Sequence, residues 1–274
     1  MMEPPARAEA RSSVAARVRW NRGAVGQERS RHEVGSLAWY TDLHRHRYGY
    51  EHPWLPRLLM GDVVGKRVLE IGVGVGLDAA ELIRRGAIYT GIDITENHLQ
   101  RTAAHLQFEG LRAEDLILGE ITSESWPEPF DVVYSFGVLH HIDHEVEVVR
   151  KIHSLLKPCG QLRVGLYANV SFFNTYLLAT WLVRNRCRVS FNAWQAIVAD
   201  ASDPEVLLTI KVRSARAITR LYCAEGFKVR SYAKAGFVQN NLPMIGKHLD
   251  PDGFTLSTLG RVLGWYHLFC FEKQ

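Results

Sequence analysis

Arg67-Val68-Leu69-Glu70-Ile71-Gly72-Val73-Gly74-Val75-Gly76 is the stretch that decides the fold. A short apolar run, Val68 to Ile71, carries one acid, Glu70. Glycines then stand at alternate positions, and a helix-like run follows from Leu77 to Arg85. The pattern is strand, glycine turn, helix. Without a Cβ the backbone can pass close to a ligand, and the helix N-terminus behind the turn offers free N–H groups. A small charged metabolite is expected there.

Outward from this turn the chain alternates. Strands are expected at Val68–Ile71, Ile88–Ile92, Asp115–Leu118, Asp131–Ser135 and Leu162–Tyr167, with helices at Leu77–Arg85, Glu96–Glu109 and His144–Leu156. The unbroken Val132-Val133-Tyr134 suits a strand covered on both faces. Lys157-Pro158-Cys159-Gly160 reads as the turn that ends the last of these helices. A helix at Ser214–Glu225 and strands at Phe227–Tyr232 and Trp265–Phe271 complete the count. This rhythm predicts an α/β, Rossmann-like sheet of seven mostly parallel strands with helices on both faces. Five segments follow: a disordered tail over 1–18, an aromatic helical lid over 19–62, the core over 63–167, a helical cap insertion over 168–212 and a C-terminal completion over 213–274.

Bulk properties exclude several classes. At 274 residues, 47% hydrophobic and 23% charged, the chain has the composition of a soluble globular protein. The formal charge of +4 is mild and its excess is dispersed near the N-terminus, which argues against a nucleic-acid groove. The four cysteines show no metal spacing and read as reduced thiols in a cytoplasmic protein. No apolar run approaches the ~18 residues of a membrane span, and no secretory signal is evident.

Two ligands compete for the glycine turn. Gly74-Val75-Gly76-Leu77-Asp78-Ala79 fits the dinucleotide pattern G-x-G-x-x-A, a weak signal alone. Glu70-Ile71-Gly72-Val73-Gly74-Val75-Gly76 fits acid-x-G-x-G-x-G, which suits S-adenosyl-L-methionine. A pyrophosphate disfavours a nearby acid, whereas an ammonium and a sulfonium favour one, so Glu70 favours the second reading. Asp93, at the end of the second strand in Gly91-Ile92-Asp93-Ile94-Thr95, can accept both ribose hydroxyls in either case.

With Pro129-Phe130-Asp131 through His140-His141-Ile142, and Leu155-Leu156-Lys157-Pro158-Cys159-Gly160, the chain resembles the class I S-adenosylmethionine-dependent methyltransferases that act on small molecules. The resemblance spans roughly residues 64–167. It implies that Gly72, Gly74 and Gly76 cradle the cofactor. Ser135, Phe136 and Gly137 would line its methionine portion, with Asp93 and Ile94 at the ribose. Two positions depart from the family. Cys159 stands where the first of two glycines is usual, and Gly119-Glu120-Ile121 stands where an Asp often meets the adenine amine. Glu120 is one methylene longer, so backbone at Ile121 is the substitute contact. Weaker likeness at 35–53 and 202–217 to a bacterial group of such enzymes adds nothing about substrate.

His140 and His141 are the only residues in this stretch whose unperturbed titration falls near neutrality and are the candidate catalytic residues, with His140 preferred as base or substrate hydrogen-bond partner; capping and backbone contacts are the structural alternative. The lid, Trp39 to Trp54, places Tyr48 or Arg47 near the methionine carboxylate. Tyr40, Tyr50, Tyr167, Asn169 and Phe173 are the candidate acceptor contacts. The cap insertion sits on the acceptor side or forms a dimer contact. His140, His144 and Asp143 lack the ligand number for a functional metal. The expected function is methyl transfer to oxygen or nitrogen of a small molecule, in the absence of nucleic-acid or membrane partners. A non-methylating cofactor-binding protein, such as a cyclase, and a nicotinamide oxidoreductase are the alternatives.

Overall fold

The computed structural model describes residues 16–23, 27–200 and 208–274. The strands are β1 (Arg67–Ile71), β2 (Ile88–Asp93), β3 (Asp115–Leu118), β4 (Phe130–Phe136), β5 (Leu156–Tyr167), β6 (Phe227–Ala235) and β7 (Tyr266–Lys273). They form a seven-stranded sheet in the order β3-β2-β1-β4-β5-β7-β6. Strands β3 through β5 pair in parallel. Strand β7 runs antiparallel between β5 and β6.

The helices are α1 (Leu37–His46), α2 (Leu77–Arg84), α3 (Glu96–Phe108), α4 (Glu145–Leu155), α5 (Phe172–Thr180), α6 (Phe191–Ala199), α7 (Ala215–Ala224) and α8 (Phe254–Leu263). Side chains alternate across the sheet. Leu69 and Val133 join one core cluster with Val149 and Ile152 of α4 and Ile218 and Tyr222 of α7. Val68 and Val132 join the opposite cluster with Leu82 of α2 and Leu99 of α3. Burying each such aliphatic side chain contributes roughly 1.5–3 kcal/mol, which is why the apolar runs at 68–71 and 132–134 occupy the centre of the sheet. Chain direction across the sheet reverses between β1 and β4, and this opens a crevice at the carboxyl edge.

Three expectations need correction. Lys157-Pro158-Cys159-Gly160 is not a free turn after α4: strand β5 begins at Leu156, directly at the helix end. Register passes from Phe130↔Leu156 to Val132↔Gln161, so these residues bulge opposite Asp131. A proline favours extended backbone before it, Cys159 takes φ 60°, and Lys157 Nζ donates to Asp131 Oδ1 at 2.8 Å. Second, the expected tail over 1–18 lies outside the described residues only up to 15; residues 16–21 are helical. Third, α8 stands where no helix was expected; it follows its N-cap Gly253 and packs Leu256 and Gly260 inward against β6.

The insertion is mainly helical. Ser171 caps α5 by accepting from Asn174 N, and Ser190 caps α6 by accepting from Ala193 N. Its return is tied to the sheet. Arg213 Nη2 donates to both oxygens of buried Glu145, at 2.6 and 2.8 Å, at the start of α4. The backbone N–H of Lys211 donates to His140 O at 3.0 Å.

Candidate active site

A cavity of about 310 Å³ opens at the crevice. The ends of β1, β2 and β4 supply Ile71, Gly72, Gly74, Ile92, Asp93, Ile94, Phe136 and Gly137. Gly119, Glu120 and Ile121 follow β3. The other wall comes from Trp20, Arg47, Glu51, His52, His141, Tyr167, Asp200 and Tyr266.

The glycines divide their work. Gly72 (φ 82°) lies under Val138, and an added Cβ would meet Val138 Cγ2 at 2.4 Å. Gly74 (φ 58°) borders open space, where an added Cβ would meet nothing within 4 Å. A ligand can therefore approach the backbone at Gly74. Gly76 does not line the cavity: it precedes α2, and its added Cβ would press on Thr102 at 3.0 Å. It is a packing glycine between α2 and α3.

Asp93 lines the cavity but is already well supplied with donors. Its Oδ1 accepts from Thr95 N at 2.9 Å and Thr95 Oγ1 at 2.7 Å. Its Oδ2 lies 3.3 Å from Gly74 N and 3.2 Å from His98 Nδ1. Burial pushes the Asp93 carboxyl up, but the His98 and Thr95 hydrogen bonds outweigh this and hold it below the usual carboxylate range. Ligand donors would compete most easily at Oδ2, where the internal bonds are longest. The opposite nitrogen of His98, Nε2, is buried without a partner among the described residues, and His98 lines the same cavity.

Glu70 is a correction. It faces the interior, 3% exposed, and accepts from Tyr89 OH at 2.5 Å. Burial, reinforced by Asp78, raises its carboxyl well above the usual range and so works against a negative charge beneath the loop. The carboxylate that anchors this region is Asp78 at the start of α2. Arg47 Nε and Nη2 donate to its two oxygens at 2.7 and 2.5 Å. Tyr134 OH donates at 2.9 Å and Tyr48 OH at 2.5 Å. Burial opposes ionisation of Asp78, but Arg47 outweighs it and keeps the group below its ordinary value. Tyr48 therefore belongs to this clamp and does not line the cavity, whereas Arg47 does, with its guanidinium 5.2 Å from the Phe136 ring centre.

The histidine pair separates into two environments. His140 is fully buried between His141 and Tyr167, its ring centre 3.8 Å from that of Tyr167. Neither ring nitrogen has a partner among the described residues. Burial, then the neighbouring His141, holds its pKa well below the ordinary value. It does not line the cavity, so the preference for His140 as base is not supported by its position. His141 does line it. Its Nδ1 donates to Thr209 O at 2.8 Å, and its Nε2 lies 3.6 Å from Asp200 Oδ1. Burial disfavours the imidazolium, but Asp200 outweighs it and raises the His141 pKa.

The remaining candidates scatter. Ser135 Oγ donates to Ile71 O at 3.1 Å and bridges β4 to β1 within the core. Tyr40 OH donates to Arg101 O at 2.8 Å, and its ring stacks on His105 at 4.4 Å, away from the cavity. Tyr50 packs on His46, Asn169 is exposed, and Phe173 packs edge-on against Trp265. Of the acceptor candidates only Tyr167 lines the cavity. Sequence reasoning missed Trp20, His52, His98, Asp200 and Tyr266. They come from five separate stretches, and no local spacing links them. His52, ringed by Trp54, Phe136 and Tyr266, is driven by burial to a pKa of about 4.

The strand order, the glycine turn and the crevice carboxylate together define a Rossmann-like fold with a cavity at the carboxyl edge of its sheet. Residues 69–162 match the family model described as a methyltransferase domain. Over 102 residues the chain is 36% identical to the ubiquinone biosynthesis O-methyltransferase of Pseudomonas syringae pv. tomato, a match covering 37% of this chain and 44% of that one. Against the enzyme of that name from Neisseria meningitidis serogroup A the identity is 34% over 110 residues, again covering 37% and 44%. The matched stretch thus spans less than half the length of these curated relatives. Among solved structures, the magnesium protoporphyrin IX methyltransferase of Synechocystis PCC 6803 with bound SAH superposes with a TM-score of 0.59 at 12% identity, covering 96% of this chain and 100% of that one. The cyclase SpnF superposes at 0.56 with 15% identity, covering 97% and 94%. These likenesses establish the shared fold. No helix among the described residues is long and apolar enough to cross a membrane.

Proposed function

We propose that this protein is an S-adenosylmethionine-dependent methyltransferase that moves a methyl group to oxygen or nitrogen of a small molecule by in-line displacement. The observation that carries the reading is the convergence of Gly72, Gly74, Asp93 and Gly137 on one cavity at the carboxyl edge of β1, β2 and β4. The residues fit the cofactor. Open space at Gly74 would accommodate its amino-acid portion, Asp93 Oδ2 would accept from the ribose, and Ile94, Glu120 and Ile121 would hold the adenine. Phe136 and Gly137 would line the methionine side chain, with Arg47 packed on Phe136.

When bound, S-adenosylmethionine supplies a methyl group on a sulfonium, an electrophile that needs no further activation. The chain's own residues then have two tasks, alignment and exclusion of water. Trp20, His52, Phe136, Tyr167 and Tyr266 give the opposite wall an aromatic lining suited to both. Proton removal from a hydroxyl acceptor falls to the Asp200 carboxylate on that wall, with His141 beside it.

Calorimetry with S-adenosylhomocysteine tests the cofactor assignment. Saturable binding is expected; binding of NAD in its place would refute it. Release of S-adenosylhomocysteine from S-adenosylmethionine across a panel of hydroxyl and amine acceptors tests the transfer, and a non-methylating binder would show none. The reading includes no nucleic-acid partner, supported by Ser135-Phe136-Gly137-Val138 after β4 in place of a polar-Pro-Pro-aromatic turn. The four cysteines are free thiols, which supports a reducing, cytoplasmic setting. Exposed Phe172, Tyr176, Leu182 and Val183 on the insertion support self-association there, which sedimentation can measure.

A further inference from the structure

Asp200 ends α6 and is 2% exposed, yet it lines the cavity opposite the glycine turn. Its Oδ1 accepts from Tyr167 OH at 2.9 Å and faces His141 Nε2 at 3.6 Å. Its Oδ2 is buried with no partner among the described residues. A buried carboxylate oxygen without a donor is costly, and folded chains normally satisfy such groups. Arg19 fixes the backbone beneath it, donating from Nε and Nη2 to Asp200 O at 3.2 and 3.0 Å. The carboxylate is therefore held in place with one oxygen in reserve.

The surroundings select among donors. Trp20 stands edge-on to His141 at 5.7 Å, and Tyr167 and Tyr266 lie 5.6 Å apart as further aromatic walls. Such walls accommodate a flat ring. They also suit an ammonium, but both ring nitrogens of His141 face acceptors, Thr209 O and Asp200 Oδ1, an arrangement that suits the imidazolium and weakens the local attraction for a second cation. A neutral O–H donor meets no such opposition. Resting on the methyltransferase reading, we infer that Asp200 is the acceptor-binding carboxylate and that the acceptor is an aromatic hydroxyl compound, its ring packed against these aromatic side chains and its O–H donated to Oδ2.

The test uses the full chain saturated with S-adenosylhomocysteine at neutral pH and follows binding of phenol, dinitrophenol and benzylamine by NMR titration. Wild type should bind phenol in preference to dinitrophenol, which is ionised and repelled by the carboxylate, and in preference to benzylamine. Asp200→Asn should lose about tenfold or more in phenol affinity, the usual cost of a hydrogen bond to a charged group. It should also narrow or reverse the preference over dinitrophenol, with S-adenosylhomocysteine affinity unchanged within about twofold. That last value reports a folded cofactor site, and a merely structural aspartate would leave the phenol-to-dinitrophenol ratio unmoved. Equal phenol affinity in the two proteins, no phenol binding to the loaded wild type, or tighter binding of benzylamine would each overturn the proposal. If Asp200→Asn fails to bind S-adenosylhomocysteine, the wild-type order of the three ligands still decides. Failure of wild type to bind S-adenosylhomocysteine would refute the methyltransferase reading instead.

Discussion

Replacing Asp93 by Asn probes the cofactor cavity with a near-isosteric change, and the structure sets its size. The amide oxygen can take the place of Oδ1, keeping both Thr95 bonds. The NH₂ group then falls at Oδ2, where it faces the N–H of Gly74 and the Nδ1 of His98. Two donors now meet at Gly74, while the histidine can adapt by changing tautomer. The variant loses the one acceptor positioned to exchange internal donors for ribose hydroxyls. A hydrogen bond to a charged group is worth about 1.5–3 kcal/mol, so cofactor affinity should fall by roughly 10- to 150-fold. Fold stability should fall less, because the Gly74 contact is long. Calorimetric titration with S-adenosylhomocysteine, paired with urea unfolding, separates the two effects. A Kd within about twofold of wild type would refute the ribose assignment. Equal losses in affinity and stability would show that the carboxylate mainly holds the loop.

Other variants examine the framework. Asp78→Ala leaves the Arg47 guanidinium without the carboxylate that neutralises it and removes the acceptor of Tyr48 and Tyr134; a loss of about 3–5 kcal/mol in urea unfolding is expected. Glu70→Gln tests the raised carboxyl. Wild type must keep a proton on Glu70 that the unfolded chain releases above its ordinary pKa, so its stability falls as pH rises from that value toward the folded one. Urea midpoints across the acid-to-neutral range should therefore show the Gln variant gaining on wild type as pH rises, and parallel curves would contradict the assignment. His140→Phe removes two buried nitrogens that have no partner among the described residues, so stability should hold or rise by about 1 kcal/mol. Turnover should persist, whereas His141→Gln should lower it more than cofactor affinity.

Legibility in the sequence followed locality. The sheet was readable because its central strands carry short, mostly apolar runs, Val68–Ile71 in β1 and Val132–Tyr134 in β4, that reach the core clusters on both faces. The cofactor side was readable for the same reason: Gly72, Gly74, Asp93 and Gly137 each sit within a few residues of a strand end, where the topology brings them together. Within that side the errors are orientational. Glu70, Gly76 and Ser135 lie in the right segments, but strand alternation and helix packing turn them into the core, toward Tyr89, Thr102 and Ile71. Sequence spacing fixes which segment reaches the crevice; it does not tell which of two adjacent side chains faces it.

The acceptor wall obeys a different rule. His141, Tyr167, Asp200 and Tyr266 meet because the insertion returns to the sheet through Lys211 and Arg213 and because β7 enters antiparallel beside β5, while Trp20 and His52 reach the same wall from the N-terminal segment. The antiparallel entry brings Tyr266 opposite Tyr167 in register, so one pairing sets two aromatic walls. The cap then adds Asp200 by a hydrogen bond to that same Tyr167. Tyr167 is thus the joint between the sheet and the cap, packed on Trp265 at 4.5 Å and on His140 at 3.8 Å. The two halves of the site meet at Phe136, which packs on both His52 and Tyr266, whereas Asp200 is held from the cap side by Tyr167 and Arg19. A change at Asp200 therefore acts on the acceptor wall at a distance from Asp93 and the glycine turn, and the identity of the acceptor has to be sought in the contacts of Asp200.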